Sequence, residues 1–178
     1  MNDISPFVVR WLCHDFATPI ASVMTASELL DDATPDAEIN ELIQSGAQRL
    51  TGRLRLVRLA LGAGENAMAG AALGKLVMAG LDGTPVEWGF HGDAEDGMAP
   101  VVAGCAMLTA DLNRMRALQV SETGVSVPQG CNWPESVAAV FAGAPAVDNR
   151  SAVAEMLVRT ATRAGKQLSC DANGLYWG

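Results

Sequence analysis

The chain has 178 residues, 49% of them hydrophobic, which suffices for a packed core in one ordinary domain or two small ones. Its 12 basic and 20 acidic residues give a net charge of -8, which argues against binding to nucleic acid or anionic lipid and favours protein partners. No apolar run approaches the roughly 20 residues that span a bilayer, and no basic segment followed by an apolar one opens the chain. We therefore expect a cytoplasmic protein without a membrane span.

The cysteines give little support for a disulfide framework or a zinc module. They are Cys13, Cys105, Cys131 and Cys170. They lie far apart, without a CxxC pair, and the chain has two histidines to complete a metal site. We expect reduced thiols and no metal in this chain.

The first helix is predicted from about Ser5 to Leu30. Ser5 and Pro6 offer a cap and a first-turn proline, and apolar residues recur behind them at helical spacing. These residues are Val9, Leu12, Phe16, Ile20, Val23 and Leu30. A wheel at about 100° per residue groups all but Val9 on one face, which we expect to be the core face.

The turn residues from Asp31 to Asp36 separate this helix from a second one, whose apolar residues follow the 4-3-4 spacing of a coiled-coil seam. They are Ile39, Ile43, Ala47, Leu50, Leu54, Val57 and Leu61. A short loop makes the two helices an antiparallel hairpin, and two helices alone cannot enclose their seams. We therefore predict a homodimer with C2 symmetry, in which two hairpins form a four-helix bundle.

Beyond the segment from Gly62 to Asn66, which breaks the helical pattern, the signal changes to mixed α and β. We predict a hairpin domain over residues 1–62 and a small α/β domain over residues 66–178. The predicted helices are 69–80, 98–118, 134–142 and 151–164, the last capped by Asp148 or Asn149, and the predicted strands lie within 86–90, 119–127, 167–170 and 175–177. The predicted fold class is α+β.

His14 is the residue of the first helix that stands out chemically. Asp15 follows it at once, and the wheel places His14 roughly opposite the core face, on a stripe of small or polar residues such as Thr18 and Ala21. An exposed histidine is most often an ordinary surface residue, but Pro19 lies inside the same helix at a cost of roughly 3 kcal/mol. A bend beside a reactive side chain would explain that proline.

The run His14-Asp15-Phe16-Ala17-Thr18-Pro19 resembles the phosphoacceptor motif of sensor histidine kinases, which reads His, Glu or Asp, two residues, Thr or Asn, then Pro. The whole chain, a helical hairpin followed by a small α/β domain, looks most like the ChpT-type histidine phosphotransferases. That resemblance implies a kinase-like dimerisation domain joined to a degenerate ATPase-like domain. It also implies a transferase that relays phosphate in a bacterial phosphorelay without using ATP.

The second domain lacks the sequence features that a working kinase requires. Asn113 lies in Asp111-Leu112-Asn113-Arg114, which is not the pattern of a helix that holds magnesium and phosphates. The segment from Asp93 to Gly97 is not a nucleotide loop. We expect no ATP binding and no cofactor in this chain, and the resemblance places magnesium on the partner receiver domain.

In such a relay, His14 attacks the aspartyl phosphate of one receiver domain, and the reverse attack loads another. The resemblance implies two kinds of partner, namely the receiver domain of a hybrid histidine kinase and the receiver domains of response regulators. Asp15 either bonds the other ring nitrogen and fixes the tautomer or is a solvated acid. Thr18 either orients water in phosphatase chemistry, as the kinase resemblance implies, or is a small polar residue near a kink.

We expect receivers to dock on the first helix, with part of the second. The docking residues are Ala17, Ala21, Ser22 and Thr25. A run of arginines on the second helix either pairs with acidic residues of the receiver or forms a solvated face. These are Arg49, Arg53, Arg55 and Arg58. We expect Cys13 to be a buried small hydrophobe and assign no role to His91.

Three other functions stay open on the sequence. A truncated or inactive sensor histidine kinase would bind ATP saturably. A metal-dependent hydrolase of the His-Asp class would need further histidines and acids at separated positions, and His91 is the one histidine left to supply them. A non-catalytic scaffold would bind receivers or kinases without using His14.

Overall fold

A computed structural model describes residues 3–31, 37–64, 67–95, 97–114 and 116–178 of the chain. The predicted turn between the first two helices falls largely on residues 32–36, which lie outside the described residues. Part of the predicted domain boundary, residues 65–66, also lies outside them.

The described residues form six helices and seven short strands. The helices are α1 (Ser5–Asp31), α2 (Ala37–Ala60), α3 (Gly70–Gly80), α4 (Met98–Leu112), α5 (Glu135–Phe141) and α6 (Asn149–Arg163). The strands are β1 (Met68–Ala69), β2 (Val86–Trp88), β3 (Asp93–Ala94), β4 (Leu118–Val120), β5 (Gly124–Ser126), β6 (Leu168–Cys170) and β7 (Gly174–Trp177). This mixture confirms the predicted α+β class.

Five of the strands form a mixed sheet in the order β2-β4-β5-β7-β6. β2 runs parallel to β4, and the other neighbours pair antiparallel. β1 and β3 form a separate antiparallel pair. Sequence patterning does not predict this second pair, because two-residue strands are too short to show an alternation.

The central helix of the molecule is α4, whose residues 99–110 are all buried. It packs against α2, α3, α6 and the sheet, which is why it is apolar on every face. It ends at Leu112, earlier than predicted, where Asn113 leaves the helical conformation with φ -120° and ψ 48°. There the side chain of Asn113 accepts the backbone N–H of Asn132 at 2.8 Å. Leu118, predicted as the end of this helix, begins β4 instead.

The C-terminal half of α2 belongs to the same core as the α/β elements. Leu56 and Ala60 are fully buried within one hydrophobic cluster that includes residues of the sheet and of α4. α2 approaches α3 so closely that a Cβ on Gly52 would lie 2.3 Å from the carbonyl oxygen of Ala79. The hairpin and the α/β part therefore share a core, and their division into two domains stays a prediction.

Several large apolar side chains of α1 and α2 are exposed in the single chain. They are Val9, Ile20, Met24, Leu42 and Leu54, with 44% to 60% of their surface exposed. The spacing predicts Ile20 and Leu54 in the core of a bundle of two hairpins, so their exposure in a single chain leaves that prediction untested. Leu12 and Phe16 pack against the shared core, because only one face of the hairpin contacts the α/β part.

Candidate functional site

His14 lies on α1 with an exposed side chain, as the helical wheel predicts. The helix continues without a break through Pro19, one turn further on. Cys13 is exposed as well, so its predicted burial is wrong. The reason is its register: Cys13 lies four residues after Val9 and seven before Ile20, on the apolar face that stays exposed in one chain.

A shallow depression begins one helical turn beyond His14. It is lined by Ala17, Thr18, Ala21, Ser22, Thr25, Ala26 and Leu42. Small side chains at three- and four-residue spacing leave little side-chain bulk on this face of α1. The hydroxyl of Ser22 donates to the Thr18 carbonyl oxygen at 3.1 Å. The structure thus brings the predicted docking residues and Thr18 together on one surface, while their role in docking stays a prediction.

Asp15 lies on the side of α1 that faces α2. Both of its carboxylate oxygens accept from the guanidinium of Arg53, with Nε to Oδ2 at 2.8 Å and Nη2 to Oδ1 at 3.1 Å. The two side chains are largely shielded, with 21% of Asp15 and 13% of Arg53 exposed. The acid that follows His14 is therefore held by two hydrogen bonds from the second helix. A bond to the His14 ring, one of the two possibilities that the sequence leaves open, stays a hypothesis.

Arg53 also reaches the second part of the molecule. Its Nη2 donates to Oδ2 of Asp111, in the last turn of α4, at 2.7 Å. Burial raises the pKa of the Asp111 carboxyl, and the charge and hydrogen bond of Arg53 oppose that rise. Burial works to lower the pKa of Arg53, but the charges and hydrogen bonds of Asp111 and Asp15 outweigh it and raise the pKa. One guanidinium thus joins three helices.

The structure separates the four arginines that the sequence presents as one run. Arg49 pairs with Asp82 after α3, with Nε to Oδ2 at 2.8 Å, and both side chains are half exposed. Arg55 and Arg58 are exposed. Arg53 alone of the four turns inward, so the choice between receiver contact and a solvated face applies only to the other three.

The remaining candidate residues of the α/β part have structural surroundings. Asn113 is buried at the end of α4, where its amide nitrogen donates to the Thr109 carbonyl oxygen at 3.0 Å. His91 is exposed, and its backbone N–H donates to Glu122 at 2.8 Å. Among the described residues, no three side chains of His, Cys, Asp or Glu gather as a metal-holding group. None of the described helices has the length and apolar character to cross a membrane.

The chain matches no protein-family model, but it resembles two known phosphotransferases. A segment of 65 residues is 31% identical to Protein phosphotransferase ChpT of Brucella abortus (strain 2308), and it makes up 36% of this chain and 31% of that protein. The chain thus matches about a third of the length of this curated relative.

The second similarity is one of fold. A solved structure described as a 1.7 Å structure of a bacterial phosphotransferase matches with a TM-score of 0.75 and 19% identity, over 98% of this chain and 94% of that one. The predicted resemblance to ChpT-type proteins is therefore confirmed in sequence over that one segment. Over nearly its whole length, the chain has the fold of the bacterial phosphotransferase.

Proposed function

We propose that this protein is a histidine phosphotransferase of a bacterial phosphorelay, which passes a phosphoryl group between receiver aspartates through His14 without ATP. The observation that carries the proposal is the position of His14, exposed on α1 one turn before a depression of small side chains and directly before a carboxylate held by Arg53. The similarity to ChpT and to a bacterial phosphotransferase supports it.

The chemistry needs few groups from this chain. A ring nitrogen of His14 attacks the phosphorus of the aspartyl phosphate with its lone pair, and the bond from phosphorus to the carboxylate oxygen breaks with its electrons going to that oxygen. The ring becomes positively charged, because its other nitrogen keeps its proton. Attack by the aspartate of a second receiver restores the neutral ring. The receiver supplies magnesium and the acidic pocket, so this chain supplies a positioned nucleophile and a docking surface.

Asp15 and Thr18 have distinct roles in this proposal. The carboxylate of Asp15, next to the imidazole in sequence, stabilises the positive charge that the ring gains on phosphorylation. The exposed hydroxyl of Thr18, one turn after His14, orients water when a phosphoryl group is hydrolysed. The receiver docks over the depression, on Ala17, Ala21, Ser22 and Thr25.

We also propose that two chains pair through α1 and α2 into a four-helix bundle. Four of the five exposed apolar side chains of these helices would then be covered by their counterparts, namely Val9, Ile20, Met24 and Leu54. Leu42 lines the depression where the receiver docks. In this arrangement the α/β part corresponds to a degenerate ATPase-like domain, which braces the hairpin and binds no nucleotide.

Phosphotransfer profiling tests the function. Phosphorylated receivers from the same genome are mixed with wild type, His14→Gln and His91→Gln, where His91 is the other histidine of the chain and is also exposed. We expect label on wild type and on His91→Gln and none on His14→Gln. Labelling of His14→Gln at the wild-type level would contradict the proposal, and saturable ATP binding by wild type would favour an inactive kinase.

A further inference from the structure

We propose that Arg53 is a positioning residue for phosphotransfer. It fixes the carboxylate of Asp15, the residue that follows His14, and is itself held by Asp111 of α4. The α/β part would then set the geometry at the phosphoacceptor in addition to bracing the hairpin. This inference rests on the proposed function, because it assigns a residue to the same reaction.

The geometry fixes the orientation of the carboxylate. Two separate nitrogens of Arg53 bond the two oxygens of Asp15, at 2.8 and 3.1 Å. Such a fork fixes both the position and the plane of a carboxylate, which a single bond from a lysine does not. The third bond, from Nη2 to Asp111 at 2.7 Å, fixes the guanidinium relative to the central helix.

The charges suit a reaction that makes a cation. The guanidinium of Arg53 is shared between two carboxyl groups, those of Asp15 and Asp111, so Asp15 does not have this cation to itself. The side chains are shielded from water, with 13% of Arg53, 21% of Asp15 and 30% of Asp111 exposed. A shielded carboxylate stabilises a nearby positive charge more strongly than a solvated one does.

The cluster lies at a cleft where the hairpin meets the α/β part. Its charged lining residues are Asp15, Arg49, Arg53, Asp82, Asp111 and Arg114. The ion pair of Arg49 with Asp82 in the same cleft is half exposed and does not involve α1. Among the described cations of this cleft, Arg53 is the one whose ion pairs join Asp15, the acid after His14, to the α/β part.

The reaction itself is the one already described. As the bond from nitrogen to phosphorus forms and the bond from phosphorus to the receiver's carboxylate oxygen breaks, the ring of His14 keeps its second proton and becomes positive. Asp15 counters that charge effectively only when its carboxylate is held in place, and the two hydrogen bonds from Arg53 hold it. No further reactant is required.

The test separates positioning from stability. The full-length protein and a phosphorylated receiver are mixed rapidly, and the transfer rate constant at saturation and the half-saturating receiver concentration are measured for Arg53→Gln, Arg53→Lys and Asp111→Asn. Arg159→Gln is the matched control, because Arg159 makes a similarly shielded ion pair with Glu155 inside α6. Circular dichroism at the assay temperature identifies the variants that are folded.

We expect Arg53→Gln to lower the saturated rate constant about 10- to 100-fold, with the half-saturating concentration within about twofold of wild type. Arg53→Lys should restore part of the rate. Asp111→Asn should lower the rate less, and should have no further effect when combined with Arg53→Gln, because Asp111 acts only through Arg53. Arg159→Gln should transfer at the wild-type rate.

Several results would overturn the inference. The first is a rate constant at saturation equal to that of wild type in folded Arg53→Gln or Asp111→Asn. The second is that the two substitutions lower the rate independently of each other. The third is that they change only the half-saturating receiver concentration. If Arg53→Gln does not fold, the comparison of Arg53→Lys and Asp111→Asn with wild type decides the matter in the same way. Failure of wild type to take label at all would instead refute the proposed function.

Discussion

The small side chains that follow His14 decide how closely another protein can approach the ring. Ala17, Ala21 and Ser22 are all exposed on α1, and none extends far from the helix. Attack on phosphorus requires the reacting atoms to come within about 3–3.5 Å, so the receiver must almost touch this surface. The docking proposal therefore depends on the absence of bulk after His14 as much as on the histidine.

Replacing Ala21 by Trp should obstruct docking without unfolding the protein. We expect the half-saturating receiver concentration in the transfer assay to rise about tenfold or more, equivalent to about 1.4 kcal/mol. Because Ala21 is exposed, stability should change by no more than about 0.5 kcal/mol. Ala71→Trp, at an exposed position of α3, is the control. Equal receiver affinity in the two variants would refute the docking surface.

At the scale of an element, α6 shows how a local signal fixes a helix boundary. The sequence leaves Asp148 and Asn149 as possible caps, and the structure selects Asp148. Its carboxylate accepts the Ser151 N–H at 2.8 Å, and the Ser151 hydroxyl accepts the Asp148 N–H at 2.9 Å. This reciprocal box satisfies donors that the first turn would otherwise leave unpaired.

Asp148→Ala should lower the melting temperature by about 2–4 °C at pH 7, as expected for the loss of about 1 kcal/mol. Partial burial works to raise the pKa of Asp148, but bonds from Ser151 and its neighbours outweigh this and lower it. The carboxylate therefore stabilises the fold above its ordinary pKa of about 3.9 and loses that effect as the pH falls further. Thermal unfolding should show the gap to wild type narrowing below about pH 4.

Asp148→Asn is the matched control for that experiment, because an asparagine caps a helix without titrating. Its melting temperature should stay close to wild type at pH 7, and its advantage over Asp148→Ala should persist at low pH. A gap between wild type and Asp148→Ala that is constant from pH 7 to pH 3 would contradict the assigned role of the charged carboxylate.

For the whole molecule, the sequence predicts what depends on local pattern. The six helices, the α+β class and the exposure of His14 follow from periodicity, caps and turn residues. The link from Arg53 to Asp111 does not, because 58 residues separate the two and no local pattern connects them. A partial signal was present: Arg53 lies three residues after Leu50 and four before Val57, within the predicted seam.

The apolar face of α1 is exposed in the single chain, so its burial depends on the assembly of the whole molecule. Val9, Ile20 and Met24 share one face of α1, at spacings of eleven and four residues, and all three are exposed in the single chain. A contiguous apolar face of this kind favours a second copy of the hairpin as its cover. Neither helix alone nor the α/β part of the same chain supplies that cover.

Met24→Lys should therefore dissociate the dimer, since a charge buried in the interface without a partner is costly and lysine preserves helix propensity. Light scattering at micromolar concentration should give a dimer for wild type and for Met78→Lys, which alters an exposed methionine of α3, and a monomer for Met24→Lys. A monomeric wild type would exclude the bundle. Because His14, Asp15, Arg53 and Asp111 all come from one chain, we expect the monomer to remain labelled at His14 by a phosphorylated receiver.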